Sequence, residues 1–509
     1  MSDPKDYQDI HITTTLPKSW EEERTFNDVL YDWLGRAPYL AVALVLHLLA
    51  LFLLNLVPWN AFDEQEVKTI IANLEVPTVE EFEEPPPPEI EVVEEVEVVE
   101  PVVEVVSEEI TPEEVSEDQP FDNPNNSNTE IGIGGGGGGG KGGGRRGGRG
   151  AVKTPIAKSI SDGLEWLKDH QNVAGYWDVD NFMVECKKAG MPLSDGPGSH
   201  AQDVGVTGLA LLAFLGYGDT LNDGQYKDVI SRGVQWLILQ QQDSGLIGGE
   251  IGLEFLYDHS IAALALCEAY YTSGKRPLLR KNCQAAINYI SRARNPYAAW
   301  RYAVPANGEN DTSVTGWMVF AMAAALDGGL TVDIEGFRGA MSWFDEATDP
   351  QSGRVGYDSR GGASSRSASN GHYPREAAET MTAVGVLGRI FAANALKSGD
   401  PTKDPIVQRG AELMSKKLPV WSANGLTNDM YYWYYGSYAM FQMGGRYWGD
   451  WEKAMEKAIL PNQRQDGCFL GSWDPNGPWG YSGGRVYSTA LMVLCLEVFF
   501  RYTRLTGAR

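Results

Sequence analysis

Residues Asp162 to Trp177 read DGLEWLKDHQNVAGYW, and this stretch decides the fold. Trp166 and Leu167 take adjacent positions on the apolar stripe of a helix and anchor it to its neighbours. Gln171 falls where the helix runs out, so its amide is placed to bond orphan carbonyls. Gly175 supplies the left-handed turn that stops the helix, and Trp177 folds back as a flat cover on the junction. The unit predicts a staple between one helix pair and the next.

The spacing G-x-x-[FYW]-L-x-x-x-Q-x-x-x-G-x-W resembles the QW repeat of the squalene and oxidosqualene cyclases, relatives by fold of the protein prenyltransferases. The basic residue usual before the glycine is missing, because Asp162 stands there. A second copy runs through Arg232, Gly233, Trp236, Leu237, Gln241 and Gly245, with Ile247 for the closing Trp. A third keeps the spacing in Ala286, Tyr289, Ile290, Arg294, Ala298 and Trp300, with Arg for Gln. Gly339, Trp343 and Gly353 form a loosened fourth, Arg409, Gly410 and Leu413 begin a fifth, and Gln463, Gly467 and Phe469 end a sixth.

Each copy is followed by a second, almost wholly apolar helix, expected over 203–215, 258–270, 312–325, 376–391, 429–443 and 487–500. Repetition every ~45–70 residues marks a repeat architecture. An open solenoid needs polar capping repeats at its ends, yet Val493 to Phe500 is as apolar as the middle of the chain. Closure buries both ends, so an all-α fold is expected over residues 156–505, an α6/α6 toroid with the apolar helices inside. The family resemblance implies the same.

Upstream the chain changes character. Residues 1–36 are polar and read as a cytoplasmic N-terminus. Residues 37–59 contain YLAVALVLHLLALFLLNLV, Tyr39 to Val57, without a charge and flanked by Trp33 and Trp59, which reads as one uncleaved transmembrane helix. Arg24 and Arg36 precede it while only Lys68 follows closely, so the rest is expected outside, in the periplasm of a bacterium with the span in its inner membrane. His47 inside the span, followed by a Pro/Glu/Val-rich stretch, resembles the anchor and spacer of TonB-type transducers. That likeness implies a proton-driven motor complex as partner; a simple anchor is the alternative reading.

Residues 60–130 form an acidic spacer, with 23 acids and one lysine between Asp63 and Glu130. Like charge and proline favour an extended chain. Residues 131–155 are a Gly/Arg-rich hinge; GGGRRGGRG resembles RNA-binding tracts, but little RNA is met beyond a membrane, and the reading is linker, with no nucleic-acid partner. The formal charge of -26 thus belongs to the spacer, and residues 158–509 carry 32 basic and 37 acidic residues. Five cysteines at scattered spacing, Cys267 and Cys495 among them in apolar helices, show no disulfide framework or zinc ribbon.

Candidate chemistry gathers where the apolar helices begin, because in a closed ring those starts share one mouth. Asp203, His259, Asp311, Glu376 and Asp429 are the catalytic candidates, and the aspartates among them are also natural helix caps. His200, Asp258, Glu379, Tyr431, Trp433, Tyr435, Tyr481, Arg485 and Tyr487 are the ligand-binding candidates; the aromatic run DMYYWYYGSYAMF from Asp429 suits an apolar ligand. The loop from Gly353 to Arg375, with Arg360, Arg366 and His372, is long and polar enough for a lid.

The cyclases' D-x-D-D-T-A acid becomes Gly308, Glu309, Asn310, Asp311, Thr312 and Ser313, so the proton donor of that mechanism is lost. The prenyltransferase zinc set is not reproduced, since Asp466 and Cys468 share its D-x-C spacing but fall in an exit turn, and the GCGEQ of thioester relatives is absent. No metal or cofactor is expected. The reading is a membrane-anchored binding or scaffold module for an isoprenoid or hopanoid ligand or a protein partner, the alternative being an enzyme of the superfamily with a rearranged acid set.

Overall fold

Twelve α-helices between Pro155 and Arg501 alternate in character along the chain. The odd-numbered ones are amphipathic: α1 (Pro155–Asp169), α3 (Lys227–Leu239), α5 (Pro277–Ala293), α7 (Ile334–Ala347), α9 (Pro405–Ser415) and α11 (Gly445–Ile459). The even-numbered ones are buried almost all round: α2 (Asp203–Tyr217), α4 (Phe255–Thr272), α6 (Thr312–Asp327), α8 (Thr380–Leu396), α10 (Met430–Met443) and α12 (Gly480–Arg501). The computed structural model describes residues 47–49, 155–186, 191–252, 254–362, 364 and 373–501. Among these the chain is all-α; extended pairing is limited to the single bridges Gln241–Ile247 and Thr348–Val355.

The packing order is cyclic. Helix α2 packs on α4, α4 on α6, α6 on α8, α8 on α10, α10 on α12, and α12 returns to α2. Each odd helix lies against two successive even ones, and α1 rests on both α12 and α2. A helix that is apolar on every side has to be surrounded by protein, and an amphipathic one needs a single apolar seat.

The junctions carry the staple. The Gln171 amide donates to the Gly175 carbonyl (2.7 Å) and to Val229 O of α3 (3.0 Å). Gln241 does the same to Gly245 (3.2 Å) and Asn282 of α5 (3.0 Å). The orphan carbonyl at the helix end goes to the indole instead, Trp177 Nε1 donating to Leu167 O (2.7 Å) and Trp300 Nε1 to Ile290 O (2.8 Å). The glutamine therefore ties one outer helix to the next, and the tryptophan finishes the helix it covers. Gly175 (φ +102°) is obligatory, because a Cβ there would lie 2.5 Å from the Arg232 carbonyl.

In the sixth unit the closing residues are Gly471 and Trp473, not Gly467 and Phe469. Gln463 donates to Gly471 O and Ser159 O (both 2.8 Å), and Trp473 Nε1 to Ile459 O (2.9 Å). The exit turn is four residues longer: Arg464 and Ser472 pair through the backbone, so the segment between them bulges outward and the motif resumes beyond it. Because Ser159 belongs to α1, this staple joins the last unit to the first. Three expected helix starts also move, α4 beginning three residues early at Phe255. Helix α8 begins at Thr380, after extended backbone at Ala378, and α12 begins at Gly480 with a break at Gly484 (φ +63°).

A disulfide was not foreseen, yet Cys186 and Cys468 are bonded, 282 positions apart, at the closure between the sixth unit and the segment after α1. Cys267, Cys283 and Cys495 are free and buried. A cross-link over so long a loop typically contributes about 2–4 kcal/mol. Its reduction is therefore expected to lower Tm by roughly 3–6 °C in a folded part of this size. Differential scanning calorimetry with and without reductant measures this, with a Cys186→Ser/Cys468→Ser variant as control; an unchanged Tm would count against the closure role.

No helix among the described residues is long and apolar enough to cross a membrane. The expected span, apart from residues 47–49, which are helical, lies outside the described residues, as do the spacer and most of the Gly/Arg-rich hinge.

Candidate functional site

The starts of all six even helices line one cavity that opens to solvent at its mouth. Small residues open the room and aromatic ones wall it. Trp317 of α6, Tyr431 of α10 and Tyr487 of α12 line it together with Tyr257, Tyr302 and Trp479, and with Leu209, Ile261 and Met381. Polar atoms are few: Gln202, Glu254, Asp258, Ser313, Thr380 and Ser482, with the Ser313 and Tyr431 hydroxyls bonded at 2.8 Å.

Asp258 is the buried acid of this wall. Its Oδ1 accepts from the Gly205 amide (3.0 Å), so it caps the neighbouring α2 rather than its own helix. A Cβ on residue 205 would fall 2.2 Å from that oxygen, which is why glycine stands there. Burial pushes the Asp258 pKa well above the carboxylate range, with Glu254 and Asp203 adding in the same direction. A neutral carboxyl in an aromatic cavity can donate a hydrogen bond or a proton.

The other acids are placed differently. Asp203 accepts from Val179 N (2.9 Å) and burial raises its pKa to about 7. Asp311 is fully buried, caps its own helix through Val314 N (2.7 Å), and accepts from Tyr357 Oη (3.3 Å). Burial raises it to about 7, and Tyr357 is hydrogen-bonded in turn to Tyr302 on the cavity wall. Asp311 thus reaches the cavity only through two tyrosines. Asp429 caps α10 at Tyr432 N (2.9 Å) and accepts from Thr380 Oγ1 (3.0 Å). Glu379 is clamped by Arg354 (2.6 and 3.2 Å) and Thr382 (3.0 Å), whereas Glu376 is exposed.

His259 turns away from the cavity. The Ile247 amide donates to its Nδ1 (3.0 Å), leaving the proton on Nε2 towards Ala286 O (3.2 Å), and burial lowers its pKa to about 4. Thr207, Thr315, Thr382 and Thr489 accept the corresponding exit-turn amides of their units, from Trp177, Trp300, Val355 and Trp473. A polar residue at that register of an otherwise apolar helix was the available sequence signal for this role.

The aromatic and basic candidates divide as well. Tyr431 and Tyr487 line the cavity; Tyr435 is buried beneath it against Trp317, Phe320 and Tyr431; Trp433 packs on the far side near Trp421. Arg485 is buried and bonded to Asp195, Ser472 and Asp474, so it braces the last junction. His200 and Tyr481 are exposed. Glu254, Tyr257, Tyr302, Trp317 and Trp479 were not anticipated. Three of them, Glu254, Tyr302 and Trp479, lie in the connections between helices, where periodicity says nothing about direction.

For a metal, Asp178, Asp180 and Asp203 bring carboxylate oxygens within 4.8 Å of one another. Cys468 is committed to the disulfide, so the Asp466/Cys468 pair offers no thiolate ligand. In the long loop Arg360 donates to Glu346 O (3.2 Å); residues 365–372, including Arg366 and His372, lie outside the described residues.

No family model and no curated protein matches the chain. Among solved structures it is similar to a protein from Actinoplanes, at 14% identity and TM-score 0.40, over 68% of this chain and 99% of that one. A novel alpha-amylase from Clostridium perfringens matches at 9% identity and TM-score 0.45, over 67% and 98%. The type II terpene cyclase MstE from Scytonema, solved with its substrate geranylgeranyl dihydroxybenzoate, matches at 13% identity and TM-score 0.40, over 67% and 96%.

Proposed function

We propose that residues 156–505 are an α6/α6 toroid of the terpenoid-cyclase kind, and that the cavity at its mouth binds an apolar, isoprenoid-type ligand. The carrying observation is the aromatic wall of Trp317, Tyr431, Trp479 and Tyr487 around one buried acid, Asp258. Concave, mostly apolar sites with few polar groups are the usual form of small-ligand sites. In this reading residues 37–59 anchor the chain in a bacterial inner membrane, and the spacer and hinge hold the ring on the periplasmic side. The Cys186–Cys468 bond supports an oxidising compartment.

The position of Asp258 on the wall favours a second reading, an enzyme of the same superfamily with that acid as proton donor. Mass spectrometry of lipids extracted from the purified full-length chain tests both. An isoprenoid or hopanoid mass that co-purifies, and that is lost on Trp317→Arg, is expected from binding. A transformed product accumulating with time favours the enzyme. A protein that carries no lipid and takes up none from added extract overturns the ligand reading and leaves a scaffold for a protein partner.

A further inference from the structure

We propose that the cavity selects ligands with an uncharged polar head and rejects phosphorylated ones, with Glu254 at its mouth as the residue that makes the choice. This rests on the ligand-binding reading above. Six helix N-termini around one mouth would ordinarily invite a phosphate. Here three of the amides that could hold it are already taken by the protein's own carboxylates. Gly205 N donates to Asp258, Val314 N to Asp311 and Tyr432 N to Asp429.

The cations are committed too. No Lys, Arg or His among the described residues lines the cavity. Arg301, stacked over Tyr302 and Tyr357, lies within 4 Å of Glu309 and Asp358; Arg354 is paired with Glu379; Arg485 with Asp195 and Asp474. A diphosphate entering this mouth would meet Glu254 at the rim and Asp258 in the wall, with no cation in the lining to replace its water. A hydroxyl or carbonyl head meets Asp258, Ser313, Thr380 and the Tyr302 and Tyr431 hydroxyls, all able to bond a neutral group.

The test uses the full chain in detergent and two probes that differ only in the head, geranylgeraniol and geranylgeranyl diphosphate, followed by quenching of tryptophan fluorescence. The alcohol is expected to bind at least about tenfold more tightly, since one like-charge contact is worth that much or more. In Glu254→Lys, an exposed change, the ratio of the two affinities should narrow several-fold. Asp258→Asn, which keeps an acceptor for Gly205, should preserve the preference. A diphosphate that binds as tightly as the alcohol overturns the selection while leaving a ligand site in place. Binding of neither probe removes the ligand reading and this inference with it.

Discussion

Replacing Trp473 by alanine is expected to lower the unfolding free energy by about 3–5 kcal/mol, the usual cost of deleting a fully buried tryptophan. The residue sits where the cycle of helices closes. Its indole donates to Ile459 O at 2.9 Å, its amide to Thr489 Oγ1 at 3.4 Å, and its ring lies 3.1 Å from where a Cβ on Gly163 of α1 would fall. Truncation leaves a cavity, a buried carbonyl without its donor, and a loose joint between the last unit and the first. Urea denaturation, with Trp421→Ala as a less buried comparison, measures the effect. A loss under about 1 kcal/mol would mean the closure bears little of the stability.

The second large effect is with pH. Burial raises the Asp311 pKa to about 7 in the fold, against an ordinary carboxyl value of 3.8. Between those values folding takes up a proton, so this stabilising contribution is complete below about pH 4 and is lost as pH rises through about 7. About three units correspond to no more than about 4 kcal/mol, and roughly 2–4 kcal/mol is expected for a group so fully enclosed. Asp203, also raised to about 7 but less buried, acts in the same direction. Unfolding free energies of wild type and Asp311→Asn at pH 4, 5, 6 and 7 isolate the term. The wild-type advantage should shrink steadily across that range; an advantage that grows with pH would show an ionised Asp311 in the folded state.

Much of the architecture could be read residue by residue because the signals were local. The alternation of amphipathic and apolar helices, the glycine that stops a helix and the tryptophan that covers its end all lie within one turn or two of each other. The candidate site was less readable. Asp311 and Asp429 cap their own helices, as their positions suggested, but Asp258 caps a neighbour and thereby becomes the acid of the wall. His259 occupies the register of a structural threonine, and its imidazole reads in sequence like a catalyst.

By itself the chain determined an all-α repeat, the segments that make up the first three junctions, and the contrast between an acidic stretch over 63–130 and a nearly neutral remainder from 158 on, because these follow from periodicity and composition within short windows. Only the tertiary structure decided that Cys186 meets Cys468, that the sixth unit closes on Gly471 and Trp473, and that Tyr257, Tyr302 and Trp479 wall a cavity beside Asp258. Those facts depend on which segments, up to some three hundred positions apart, are brought together when the cycle closes, and such proximity leaves no mark on the residues either side.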